Sequence, residues 1–154
     1  MINLLKKSRD IWKLWKGDNV IEKIRDYFKE HVTLAEEFNE ILVDFLGKEA
    51  TSYSIEPIPT DQVLRPYTDG GGLYQLVFQF GSKEFYDDSL NQNIENLNFY
   101  ERFADEIEQK NKQKILPNIK GIQSIECLNN GTIQDIENGT AKYAIQMRIT
   151  YIKN

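Results

Sequence analysis

The apolar positions of the chain change period several times, and each change marks a structural element. Leu4, Leu5, Ile11, Trp12 and Trp15 recur at helical spacing with the basic residues largely on other faces, which predicts a short amphipathic helix interrupted at Gly17. With Asp18 or Asn19 as N-cap and Glu22 three residues beyond Asn19, the series Ile21, Ile24, Phe28 predicts a second helix running to about His31, and Tyr27 widens its buried stripe. The next stretch is ambiguous, because Thr33 with Glu36 offers another helical cap while Ile41, Val43 and Phe45 alternate; the alternation favours a strand over about 40–46. Tyr53, Ile55 and Pro57 continue an extended pattern, and Pro57 and Pro59 place its end near Glu56.

Residues 60–72, with Pro66 and the run Asp69-Gly70-Gly71-Gly72, lack periodicity and bulk and read as a long, mobile connection. Tyr74, Leu76, Phe78 and Phe80 then share one face of a strand, with Gln75 and Gln79 on the other, until Gly81 and Ser82 break the pattern. Ser89 with Gln92 forms a capping box, and Leu90, Ile94, Leu97, Tyr100, Phe103 and Ile107 make one stripe down a helix reaching about Lys112. Glu106/Lys110 and Glu108/Lys112 add exposed pairs on that helix. Beyond Pro117, residues 122–128 read as a strand, and Tyr143, Ile145, Met147, Ile149 and Tyr151 line one face of the last one, with Gln146, Arg148 and Thr150 facing away. Asn130-Gly131 and Asn138-Gly139 lie between them as turn formers, so the two strands pair antiparallel. The expected fold class is α/β in its α+β form: a mostly antiparallel sheet of about four to five strands against two main helices.

Composition adds boundaries to this picture. At 154 residues, with 40% hydrophobic and 12% aromatic residues, the chain is expected to hold one folded domain over 18–154 behind an extension at 1–17. The net charge of −5 is unevenly spread: Lys6, Lys7, Arg9, Lys13 and Lys16 against Asp10 give residues 1–17 a charge of +4, leaving −9 on the rest. A body of that charge repels nucleic acid. Cys127 is the single cysteine and His31 the single histidine, so neither an internal disulfide nor a nitrogen and sulfur metal site is expected, nor any cofactor. The chain shows no secretory h-region and no run of about 18 apolar residues, which points to a cytoplasmic, reducing setting.

Candidate chemistry is sparse. His31 has no nucleophile or orienting carboxylate at a distinctive spacing, so no catalytic residue is expected. Gly70-Gly71-Gly72 is followed by neither Lys-Ser/Thr nor a helix start, which leaves a flexible connection rather than a phosphate loop. Asp61, Asp69, Asp87 and Asp88 carry hard-metal ligands, yet Asp87 and Asp88 are explained as residues entering a helix. Asn130-Gly131-Thr132 and Asn138-Gly139-Thr140 match a glycosylation pattern, for which turn chemistry suffices. The basic segment carrying Trp12 and Trp15 has three uses open to it: docking on a partner, lying on a membrane surface, or folding onto its own domain.

Residues 53–88, YSIEPIPTDQVLRPYTDGGGLYQLVFQFGSKEFYDD, resemble tail proteins of long-tailed phages of Gram-positive bacteria, the minor capsid or tail-terminator family. The likeness continues through NIENLNFYERFADEIEQ and SIECL to YAIQMRITY; residues 1–17 are not matched, and the central loop is richer in glycine than the family pattern. The resemblance implies an α+β structural subunit without catalytic residues, assembled in the host cytoplasm into a ring, usually hexameric, that caps the tail tube in the virion. Its implied partners are further copies of itself, the tube protein and the head connector, with neither a nucleic-acid sequence nor a membrane among them. Arg65 and Tyr67 are the expected contacts, being residue types that combine area with directional bonding, together with Asp69, Gly70, Trp12 and Trp15. Two other readings fit the composition: a non-catalytic adaptor or immunity-type binding module, and a small-molecule enzyme using His31 with one carboxylate.

Overall fold

The computed structural model describes residues 20–32, 40–43, 52–85, 90–137 and 139–154. They form two helices, α1 (Val20–His31) and α2 (Leu90–Lys112), and seven strands: β1 (Glu40–Val43), β2 (Ser52–Ile58), β3 (Val63–Pro66), β4 (Gly72–Phe85), β5 (Ile122–Cys127), β6 (Thr132–Glu137) and β7 (Thr140–Lys153). One sheet has the order β1-β2-β4-β7-β5, with β3 also on β4 and β6 also on β7. Only β1 and β2 pair parallel; every other described ladder is antiparallel. The fold is therefore α+β, with more strands than the periodicity indicates.

The frame is the pairing of β4 with β7. Each is 14 residues long, and they stay in register from Gly72↔Lys153 to Phe85↔Thr140. That ladder spans roughly 45 Å at the usual rise per residue. Along the outer side of β4 run β2 and then β3, end to end; along the outer side of β7 run β5 and then β6. The sheet is thus two long hairpins laid side by side, each with an unbroken inner strand and an outer strand in two pieces.

One face of this frame is apolar because the period-2 pattern of both inner strands points the same way. Leu76, Phe78, Phe80, Tyr143, Ile145, Met147 and Ile149 are all buried there, against Ile24, Tyr27 and Phe28 of α1 and Phe99, Tyr100, Phe103 and Ile107 of α2. Phe28 is the hub, with ring centroids 5.2 Å from Phe80, 5.7 Å from Phe103 and 6.3 Å from Phe78. Phe80 stacks on Phe103 at 4.8 Å. Such aromatic pairs add to the area term, so this cluster is what seats both helices on the sheet.

Several expectations change in the structure. Gly81 and Ser82 do not end the strand, since β4 continues to Phe85; a Cβ at Gly81 would press on the Tyr143 carbonyl at 3.3 Å, and the buried Ser82 hydroxyl is bonded to Tyr100. Strand β2 runs past Glu56 to Ile58, with Pro57 inside it opposite Phe78 of β4. Leu97, placed in the buried stripe of α2, is 44% exposed, and Phe99 fills the interior instead. Residues 60–72 are not a structureless connection, because they contain β3 and a closed turn. Gly139 has the positive φ expected of a turn, whereas Gly131 is required for another reason: a Cβ there would run into the Tyr100 side chain. The expectations for residues 1–19, the cap choices at Thr33/Glu36 and Ser89, the part of the 40–46 strand beyond Val43, and Asp87 and Asp88 lie outside the described residues.

Candidate interaction surface

The hairpin from β3 to β4 holds four of the expected contact residues. All of β3 is exposed, Val63 by 48% and Leu64 by 41%, and Arg65 sits opposite Leu73 in the ladder. Among the described residues β3 pairs only with β4, so its outer backbone groups are open to a further strand. The turn is closed by the Tyr67 N–H donating to the Gly71 carbonyl at 2.8 Å and the Gly70 N–H donating to the Tyr67 carbonyl at 3.2 Å. Asp69 Oδ1 accepts from the Gly71 N–H at 3.0 Å, and Gly70 has φ +92°, so both serve the turn itself. At Gly71 a Cβ would stand 2.7 Å from the Lys153 carbonyl and at Gly72 2.8 Å from the Arg65 carbonyl, so both positions are packing requirements. Tyr67, 38% exposed, projects from this rigid turn beside Arg65.

The opposite side of the sheet offers a second edge of different chemistry. The β5 edge is partly covered, because the Ile125 N–H donates to Asn111 Oδ1 of α2 at 3.1 Å. Strand β6 has no such cover among the described residues: it pairs only with β7, all six of its residues are exposed, and Ile133 and Ile136 are exposed by 42% and 50%. Asp135 and Glu137 make this edge acidic, whereas the one charged side chain on β3 itself is Arg65. The break between β5 and β6 is held by the Leu128 N–H donating to the Gln146 carbonyl at 2.8 Å and by Asn129 Oδ1 accepting from the Gln146 N–H at 2.9 Å.

The face of the sheet away from the helices is self-satisfied. Glu126 pairs with Arg148 at 2.8 Å to Nε, Lys142 with Glu56 at 3.4 Å, and Gln79 exchanges side-chain bonds with Gln134 at 2.9 and 3.2 Å. Ser124 and Thr150 share a bond at 2.5 Å. Pairs of this kind at partly exposed positions contribute only about 0–1 kcal/mol each, so they order the face more than they stabilise the fold.

The remaining sequence candidates are scattered. His31 is exposed at the end of α1, 3.8 Å from Glu30, with its ring 5.5 Å from Tyr27. It lines neither of two clefts of about 690 and 700 Å³. Among the described residues no three His, Cys, Asp or Glu side chains are grouped so as to hold a metal ion, and no helix is long and apolar enough to cross a membrane. Trp12 and Trp15 lie outside the described residues. Cys127 borders the 690 Å³ cleft, where burial and then the neighbouring Glu126 push its thiol up to about 12. The features that sequence reading missed are Val63 and Leu64 on one edge and Ile133 and Ile136 on the other. Their only sequence signal is an apolar residue in a short polar run. Compared with protein-family models and with curated proteins, the chain matches none.

Proposed function

We propose that this chain is a structural subunit of a phage tail, of the tail-terminator or head-tail joining kind, which assembles with copies of itself into a ring at the end of the tail tube. The resemblance over residues 53–151 motivates the reading. The observation that carries it is the presence of two unlike strand edges on opposite sides of one sheet. The β3 edge presents Val63, Leu64 and Arg65; the β6 edge presents Ile133, Asp135, Ile136 and Glu137. Apolar side chains on both edges and opposite charges between them favour edge β3 of one copy against edge β6 of the next. A contact between two different patches is heterologous, and repeated at a rotation that closes it builds a ring. Tyr67, beside that edge on a rigid turn, is left to meet the tube or the connector.

The test replaces Arg65 and Tyr67 together with alanine and supplies the variant in place of the parent during particle assembly. Circular dichroism should be unchanged, since both side chains are exposed, while incorporation into tails, counted by electron microscopy, falls. Normal incorporation of the folded variant sinks the assignment.

A further inference from the structure

We propose that the cleft between α1 and the adjoining ends of β5 and β7 binds a small organic anion with an apolar body. The cleft has a volume of about 700 Å³, within the usual range for small-molecule sites and small for a folded partner. Its floor is the edge of the core: Val20, Leu76 and Tyr151, which are 4%, 2% and 8% exposed. Its border carries Lys23 from α1, Lys120 from the segment before β5, and Lys153 from the end of β7. Among the described residues no aspartate or glutamate lines it.

In a chain of net charge −5, three lysines around one apolar hollow, with no acidic side chain among its described lining residues, form a local reversal of field. Among the described residues none of the three enters an ion pair with a carboxylate. Lys153 is instead held over the Tyr74 ring, its Nζ 5.7 Å from the centroid, which keeps its ammonium near the cleft and leaves its hydrogen-bond donors for an acceptor. The hollow is kept open by the backbone: Gly121, at φ +77°, lies so close to the Ile152 carbonyl that no side chain fits there, and the Ile152 N–H donates to the Gly121 carbonyl at 2.8 Å. The ligand class follows from these parts. A carboxylate, sulfonate or phosphate meets the ammonium groups while an aromatic or alkyl body covers the partly exposed Ile119 and Ile152. This inference stands independently of the assembly reading.

The probe is 8-anilinonaphthalene-1-sulfonate, followed by fluorescence at low ionic strength, against the uncharged N-phenyl-1-naphthylamine. Substituting Lys23→Gln, Lys120→Gln and Lys153→Gln together, all at sites without ion pairs, should leave the fold intact by circular dichroism and weaken sulfonate binding about tenfold, while binding of the neutral dye is unchanged. Amide chemical shifts in the parent should move at 119–123 and 151–154 on addition of the sulfonate. Equal affinity of parent and variant overturns the proposal, as do shifts confined to β3 and β6. Binding of an octaglutamate peptide without binding of the sulfonate overturns the small-ligand assignment. Loss of sulfonate binding with normal tail incorporation separates this site from the edges.

Discussion

The hydroxyl pair of Ser82 and Tyr100 is the most demanding point of the core, and its removal yields a quantitative prediction. Tyr100 is 1% exposed and Ser82 not at all, their hydroxyls are bonded to each other, and the Tyr100 hydroxyl also donates to the Tyr143 carbonyl at 3.3 Å. Burial raises the Tyr100 pKa well above 10, so it remains a neutral donor. Tyr100→Phe keeps the ring packed against Phe99 and Tyr143, at 5.3 and 6.0 Å, but strands the Ser82 hydroxyl in the interior. An unsatisfied buried hydroxyl costs about 1–3 kcal/mol. Ser82→Ala leaves Tyr100 only its long bond to the Tyr143 carbonyl, and its cost should fall near the lower end of that range. With both changes neither hydroxyl remains to be stranded, so the double variant should be less destabilised than the two singles summed, with a coupling of about 0.5–3 kcal/mol. Urea unfolding measures this directly, provided the slope with denaturant is the same in all four proteins. Singles that add to within about 0.3 kcal/mol, or a neutral Tyr100→Phe, would refute the reasoning.

Two further predictions concern backbone and ionisation. Gly131→Ala should destabilise by about 1–3 kcal/mol, because its Cβ meets the Tyr100 side chain in a packed interior, while Gly139→Ala, with open space but φ +80°, should cost about 1 kcal/mol; thermal melts showing the reverse order contradict the packing account. Burial raises Cys127 from 9.0 to about 12 and Tyr27, whose hydroxyl donates to the Ile115 carbonyl, from 10.0 to about 12. Groups whose folded pKa is raised contribute stability that is complete below the unfolded pKa and is lost as pH rises through the folded one. Stability should therefore decline above about pH 9, as first the thiol and then the phenols ionise preferentially in the unfolded chain, and Cys127→Ser should postpone the onset. A flat profile from pH 8 to 11 in equilibrium unfolding would contradict these assignments.

What was legible in the chain is what has an inside and an outside. In β4 and β7 the alternation of Tyr74, Leu76, Phe78, Phe80 and of Tyr143, Ile145, Met147, Ile149 survives folding, because those strands have helices on one face. Strands β3 and β6 have exposed side chains at every position, so no period-2 pattern exists to be read, and in sequence both look like connections. Gly81 and Ser82 look like breakers locally, yet the partner that makes Ser82 acceptable in a strand is Tyr100, 18 positions away on another element. The glycines at 70–72 point the same way: their composition suggests mobility, while Gly70 is required by its positive φ, Gly71 by the carbonyl of Lys153 and Gly72 by the carbonyl of Arg65. The candidate site inherits this limit. Arg65 and Tyr67 stood out by residue type, but the edge that gives them meaning required Val63 and Leu64 to be seen in a ladder with β4. Lys23, Lys120 and Lys153 come from three separate elements and have no spacing to detect. Periodicity records burial within one copy; strands exposed at every position and lysines drawn from separate elements carry no period, and that is why the β3 and β6 edges and the lysine-rimmed cleft become visible only in three dimensions.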